Sequence, residues 1–382
     1  MTTTELHPAA PPPGGGKTTT RRITRPTLAP GTRQRWGVTA LAVTIAIVLS
    51  MILVTVTGGS PAAVVRALYI GSVGDSVAWS QTLLNTAPLL LVALGAAVAG
   101  RAGVFNIGQE GQVLLGALGG TFVALFMAGP PLLVVPVGLL AGALLGGGLA
   151  GVSSLLHRWR GVNVVVSTLL LSFVAIQFVT FAVNTPWLLQ EPVTTAGATA
   201  SPQSAPIPAE YRLPAFGEYP GLVVGLGLVL AVALAIGTSL LLDRTRWGFR
   251  IRMLGLNPKS ARHAGVRVGV VAATTLIASG AFAGLAGAVI VETMSPRLQP
   301  AVSNNFGWDG LLVALIARQR PLAAVPVAVA FGALRTGANF LASTGVPLFL
   351  VNVVQALLVL AFVIAPAITT IVERRAVSEG PR

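Results

Sequence analysis

The stretch Asp243–Val268, DRTRWGFRIRMLGLNPKSARHAGVRV, decides how this chain folds. It carries seven Lys or Arg and a single Asp, and an apolar run long enough to cross a bilayer flanks it on each side. Basic loops between spans stay on the cytoplasmic side, so this one is expected in the cytosol. Its interior, Gly248 to Gly265, has helix-forming residues on both sides of a Gly255-Leu256-Asn257-Pro258 turn. That pattern predicts two short surface helices presented to a cytosolic partner.

Composition agrees with a membrane chain. Hydrophobic residues make up 54% and charged residues 9%, and the mean hydropathy is +0.81, which excludes a soluble globular domain. The net charge is +14, but the basic residues sit at the ends of apolar runs, which argues against a nucleic-acid partner. There is no cysteine, which removes disulfides, thiolate nucleophiles and Cys-ligated metals. His7, His157 and His263 are scattered, so no metal cluster or catalytic triad is expected and the chain reads as a transport component, not an enzyme. Gly16-Lys17-Thr18 copies the end of a phosphate loop, yet Pro11 stands where its first glycine belongs, so the chain is not expected to be its own ATPase.

The expected fold is all-α and polytopic, with about ten transmembrane helices near 37–57, 83–100, 105–128, 131–156, 162–184, 220–242, 269–291, 305–317, 321–342 and 347–371. Residues 1–36 read as a disordered basic tail, 37–372 as the transmembrane domain and 373–382 as a second tail. With both termini cytoplasmic, every Lys and Arg falls inside except Arg66, Arg212 and Arg297, expected outside, and Arg335, expected within a span. The eighth span is short, but dropping it would send Glu373-Arg374-Arg375 across the membrane. The Pro-rich loop 185–219, with Glu191, Glu210 and Glu218 against Arg212, reads as an external connector or as a landing surface for an extracytoplasmic protein.

Polar residues inside the spans are few. Asn106, Gln109 and Glu110 open the third span, and a carboxylate there costs about 2.5–3.5 kcal/mol unless it faces protein or water. Glu110 is therefore expected either to line a solute path or to sit at the interface capping the helix or pairing with Arg101. Arg335 and Asn339 lie one turn apart in the ninth span, and Asn352 and Gln355 follow in the tenth; these serve either as interhelical packing or as path lining. The pairs Gly116/Gly120, Gly142/Gly146, Gly147/Gly151 and Gly280/Gly284 predict close helix packing. A stand-alone secondary transporter would instead use Glu110, Asp309 and Arg335 as an ion relay.

The run Phe105-Asn106-Ile107-Gly108-Gln109-Glu110-Gly111-Gln112, followed by Leu115-Gly116-Ala117, resembles the "fNIGxEGQ…lGA" signature of ABC-importer permease subunits in the branched-chain amino acid and simple-sugar group. It comes nearest to the nucleoside-type members that work with basic membrane lipoproteins. Gly248 to Pro258 and Ala261 to Val266 resemble that family's coupling segment, and Ser279 to Gly287 the helix after it. Gly307-Trp308-Asp309-Gly310, Val313-Ala314-Leu315 and Pro321 resemble its "GfdgiavALLgr…P" stretch. Relatives commonly carry an acidic residue where Val164 stands and Asn where Ser172 stands.

The resemblance implies a type II importer-like permease in a bacterial cytoplasmic membrane. Its expected partners are a cytosolic ABC ATPase subunit that holds the ATP and Mg, a second permease (a paralogue, or a second copy), and an extracytoplasmic solute-binding lipoprotein. The chain itself would bind no cofactor and no metal. Coupling to the ATPase would fall to Arg250, Arg252, Gly255, Asn257, Pro258, Arg262 and Gly265. The path would take a small polar solute, a nucleoside ahead of a simple sugar such as ribose, with Asn106, Gln109, Glu110, Asn339, Asn352 and Gln355 as lining candidates.

Overall fold

A computed structural model describes residues 60–192, 201–217 and 220–343, with scattered positions in 41–56 and 353–360. The expected first and tenth spans fall largely outside the described residues, as do both tails, Glu218, Asn352 and Gln355. The helices run α1 Pro61–Val73, α2 Ser76–Arg101, α3 Gln109–Phe126, α4 Pro131–Arg160, α5 Val164–Val183, α6 Leu226–Arg244, α7 Arg246–Leu256, α8 Pro258–His263, α9 Val268–Thr293, α10 Phe306–Ile316 and α11 Pro321–Ser343. Among the described residues six of these, α2, α4, α5, α6, α9 and α11, are long and apolar enough to cross a membrane.

Three boundaries differ from the sequence expectation. Helix α1 was not anticipated; Ser60 caps it and Pro61 opens it, a start signal within a stretch too short to span. Helix α2 begins well before residue 83, because Asp75 caps it and its polar first turns all find partners: the Ser80 hydroxyl donates to Ser76 O and the Thr86 hydroxyl to Thr82 O within the helix, while Ser76 donates to Pro220 O and Thr82 to Ser72 O outside it. The expected eighth span proves to be α10, only 11 residues, about 16 Å long and half of what a bilayer needs.

The order of contacts shows how that crossing is completed. Helix α9 starts beside the basic segment and ends about 39 Å away at Thr293. Arg101, at the end of α2, donates to Gln319 O, which brings the end of α10 back to the basic end. Residues 294–305 therefore return irregularly to mid-depth, and α10 covers the remainder.

Helix α2 is the central pillar, with Leu89, Leu90, Leu91, Val92, Ala93 and Leu94 fully buried. Beside it α3, α4 and α9 pack backbone to backbone. A Cβ on Gly284 would lie 2.1 Å from Gly142 O, and one on Gly287 1.9 Å from Val113 O, so no other residue fits without parting the helices. Gly116, Gly146 and Gly280 lie in the same seam, whereas a Cβ on Gly151 would meet nothing nearer than 3.7 Å. At the end opposite the basic segment, the two-residue strands β1 (Ala215–Phe216) and β2 (Val224–Gly225) pair antiparallel. The loop before them is stitched to the end of α9 through Leu213 N to Glu292 O, Ile207 N to Pro296 O and Ser204 N to Leu298 O.

Candidate functional site

Two helix N-termini meet inside the bundle. After α2 ends at Arg101, residues 102–108 climb back, and the Gln109 side chain, at the start of α3, donates to Val92 O. Val92 lies nine residues above Arg101, so α3 begins about 13 Å from the basic end, close to the middle of a hydrocarbon core of about 30 Å. Asn106 and Gln112 exchange two amide hydrogen bonds, Asn106 Nδ2 also reaches Ser279 Oγ at 3.0 Å, and Asn106 Oδ1 accepts from Gly108 N. This amide cluster ties α3 to α9 and fixes the break in the chain.

Glu110 then crosses to α10. Its carboxylate accepts from Ser303 Oγ, from Asn305 N at 3.2 Å and from Gly307 N at 2.9 Å. It thus caps the N-terminus of α10, where orphan N–H groups and the helix dipole favour an anion. From the other side Arg335 of α11 donates to Asp309 Oδ2 at 2.6 Å and to Asn304 O, and its guanidinium lies 3.9 Å from the centre of the Phe306 ring. Residues 303–309 are held between these two clamps, with Asn304 and Asn305 in left-handed backbone (φ 38° and 64°), a conformation that Asn tolerates better than most side chains.

At the basic end α7 and α8 meet at Asn257, whose Oδ1 accepts from Lys259 N and Ser260 N, and Pro258 opens α8. Ile251 and Leu254 bury against Val98, Ala102 and Leu242. The Gly255 backbone lies against the end of α2, where a Cβ would meet Arg101 O at 2.1 Å. Arg250, Arg262, Phe249 and Leu256 remain exposed on the other side. Asp243 pairs with Arg101 at 2.8 Å and faces Arg252 at 3.6 Å. Gly265 closes α8 with φ 78°.

At the opposite end Glu191 pairs with Arg297 and accepts from Gln203 Nε2. The hydrogen bond from Arg297, then that from Gln203, holds the Glu191 carboxyl below the usual glutamate range.

The structure sorts the residues singled out from sequence. Asn106, Gln109 and Glu110 are buried together at mid-depth. Glu110 does not pair with Arg101; the 13 Å climb of the chain after Arg101 separates them, and Arg101 turns to Gln319 O and Asp243 instead. Arg335 and Asn339 part company, Arg335 buried in the clamp and Asn339 exposed. Ser172 is buried against Gly111, where a Cβ added to Gly111 would meet Ser172 Cα at 2.5 Å, so this contact holds position 111 to glycine. Val164 opens α5 behind the Asn163 cap. Sequence reasoning did not bring Ser303, Asn304 and Asn305 to the site. The available signal was the repeat Asn-x-Gly-x-acid-Gly, at Asn106 to Gly111 and again at Asn305 to Gly310, which marks the start of both interrupted helices.

A helical multi-pass membrane protein with interrupted helices meeting at mid-depth and a basic helix pair at one end has the build of a transport subunit. The chain belongs to the family described as branched-chain amino acid transport system / permease component, which matches residues 78–364, and it is an ABC transporter permease. It is similar to a glucose ABC transporter permease protein of Haloferax volcanii, 28% identical over 85% of this chain and 86% of the relative. It is also similar to a nucleoside ABC transporter permease protein of Lactococcus lactis, 27% identical over 84% and 88%. A guanosine ABC transporter permease protein of Bacillus subtilis is 28% identical over 84% and 90%. Family membership sets aside the stand-alone secondary transporter: Glu110, Asp309 and Arg335 do converge, but as clamps on one backbone segment.

Proposed function

We propose that this chain forms the solute path of an ATP-driven importer and that its solute is a nucleoside. The observation that carries the reading is the pair of interrupted helices meeting at mid-depth in a chain of the ABC permease family, a geometry that suits backbone and polar side chains lining a hydrated path. The nucleoside preference rests on relatives named for nucleoside and guanosine transport. The glucose-named relative supports a simple sugar as the second reading.

In this reading the α7–α8 end faces the cytosol of a bacterial plasma membrane. Arg250, Arg262, Phe249 and Leu256 engage a groove on a separate ATPase subunit, which holds ATP and Mg, while Gly255 transmits displacement to the end of α2. The stitched cover of residues 201–217 receives a solute-binding lipoprotein. A second permease, a paralogue, completes the path. Asn106 and Gln109 fix the helix break beside that path, and Asn339 faces it. The conformational bias comes from contacts of the ATPase that differ between its two states.

The test is uptake of radiolabelled uridine, adenosine and ribose in cells with and without the gene, each with and without ATP depletion. Gene-dependent nucleoside uptake that needs ATP and survives a protonophore at constant ATP is the expected result. Loss of ribose uptake alone would replace the solute, and uptake that follows the proton gradient without ATP would refute the mechanism.

A further inference from the structure

Two side chains inside the clamped segment 303–309 are left unused by the clamps. The backbone of Asn304 is held by Arg335 and that of Asn305 by Glu110. Both side chains are exposed, and neither side-chain amide makes a hydrogen bond to another described residue. In the first turn of α10, Trp308 is 39% exposed. All three lie within a few residues of Gly307, which is bonded to Glu110 at the middle of the bilayer. An indole can face lipid, but two unpartnered amides at that depth cannot be left there without a cost that membrane proteins avoid, so they face water or a ligand. Arg335 pairs with Asp309 and holds Asn304 O, and Glu110 is taken up by Ser303 Oγ and the N–H groups of Asn305 and Gly307, so the exposed surface offers hydrogen-bonding amides next to an aromatic face while the charges are held in the clamps.

We infer that Asn304, Asn305 and Trp308 form a solute subsite in the path, Trp308 stacking on a planar heteroaromatic ring and the two amides bonding its polar edge. The ligand class is the base of a nucleoside. The inference rests on the proposed transport reading and adds the residues that recognise the solute. The double clamp fixes the backbone of Asn304 and Asn305, as a preorganised site requires.

Two measurements test it. The chain has no cysteine, so Asn304→Cys and Trp308→Cys place single thiols at the site. A water-soluble methanethiosulfonate reagent should label both, and uridine should slow the labelling. A thiol at Asn304→Cys that stays unlabelled, or labelling indifferent to uridine, would overturn the subsite. For ATP-dependent uridine uptake at equal membrane amounts, Trp308→Leu should lose roughly tenfold, the order of one base-stacking contact, and Trp308→Phe should keep most of the rate. If Leu restores as much as Phe, the indole merely fills space and the inference fails. Asn304→Gly and Asn305→Gly keep the backbone allowed and remove the amides; wild-type uptake in the double variant would also refute it. A wild-type chain that supports no uridine uptake fails the nucleoside reading and the ligand class with it, while labelling at Asn304→Cys decides separately whether the segment faces water.

Discussion

Replacing Glu110 by Ala removes the acceptor shared by three donors on the opposite half-helix. Two of them, Ser303 Oγ and Gly307 N, are buried, and a buried donor left without a partner costs about 1–3 kcal/mol. The Ser303 hydroxyl can rotate towards another acceptor and the Gly307 amide cannot, so the bottom of the summed range applies, about 2–3 kcal/mol. At about 2–4 °C per kcal/mol for domains somewhat smaller than this one, the melting temperature should fall by roughly 5–10 °C. Glu110→Gln keeps the shape but offers one acceptor and one donor to three donors, and it should lie between Ala and wild type. The assay is thermal loss of the monodisperse peak of the detergent-solubilised protein, with hydrogen exchange across 303–309 as the local readout. A variant Glu110→Ala that melts within about 1 °C of wild type, with unchanged exchange at Gly307, would refute the capping argument.

Charge reversal at Arg250, Arg252 and Arg262 together should abolish uptake while leaving membrane levels normal, and normal transport would refute the coupling role of α7 and α8. Gly284→Ala should cost about 1–3 kcal/mol of overpacking because its Cβ would meet Gly142 O at 2.1 Å, whereas Gly148→Ala, with nothing within 4 Å, should be neutral or slightly stabilising; equal melting temperatures would contradict the seam. The Glu191 carboxyl is held low by Arg297 and Gln203, so the stabilisation it gives the outer cover is fully present above the ordinary glutamate pKa and is lost only as pH falls through its lower folded value. Limited proteolysis of the 185–219 loop should therefore be constant from about pH 7 to pH 5 and rise below the ordinary glutamate pKa of about 4.3; Arg297→Ala should show the acid pattern already at neutral pH, and a rise that begins near pH 6 would refute the pairing.

Much of this chain was legible because the bilayer is a strict solvent. Apolar runs at α4, α5, α6, α9 and α11 declare themselves by length, and the charges of Asp243–Val268 set one end apart from the other, since lipid tolerates neither unpaired backbone nor charge. The helix pair about Asn257 was readable because a capping Asn followed by Pro is a local signal. Local rules lost their grip where polar groups are satisfied across long sequence separations. The polar first turns of α2 look like loop until Ser76 donates to Pro220 O, Ser80 accepts from Val223 N and Asn85 donates to Thr336 Oγ1, and α10 looks like a whole span until residues 294–305 are seen to supply the other half of the crossing.

The sequence by itself determined the membrane class, the family, the basic end and the glycines that let α3, α4 and α9 touch, because each depends on composition or on neighbours within a turn or two. Only the tertiary structure decided what the intramembrane polar residues do. Glu110 and Asn305 are 195 positions apart, and Arg335 reaches back to Asn304 from another helix. No periodicity encodes such pairs; they exist because an interrupted helix at mid-depth must find partners for its bare N–H groups, and the bundle brings a carboxylate to meet them.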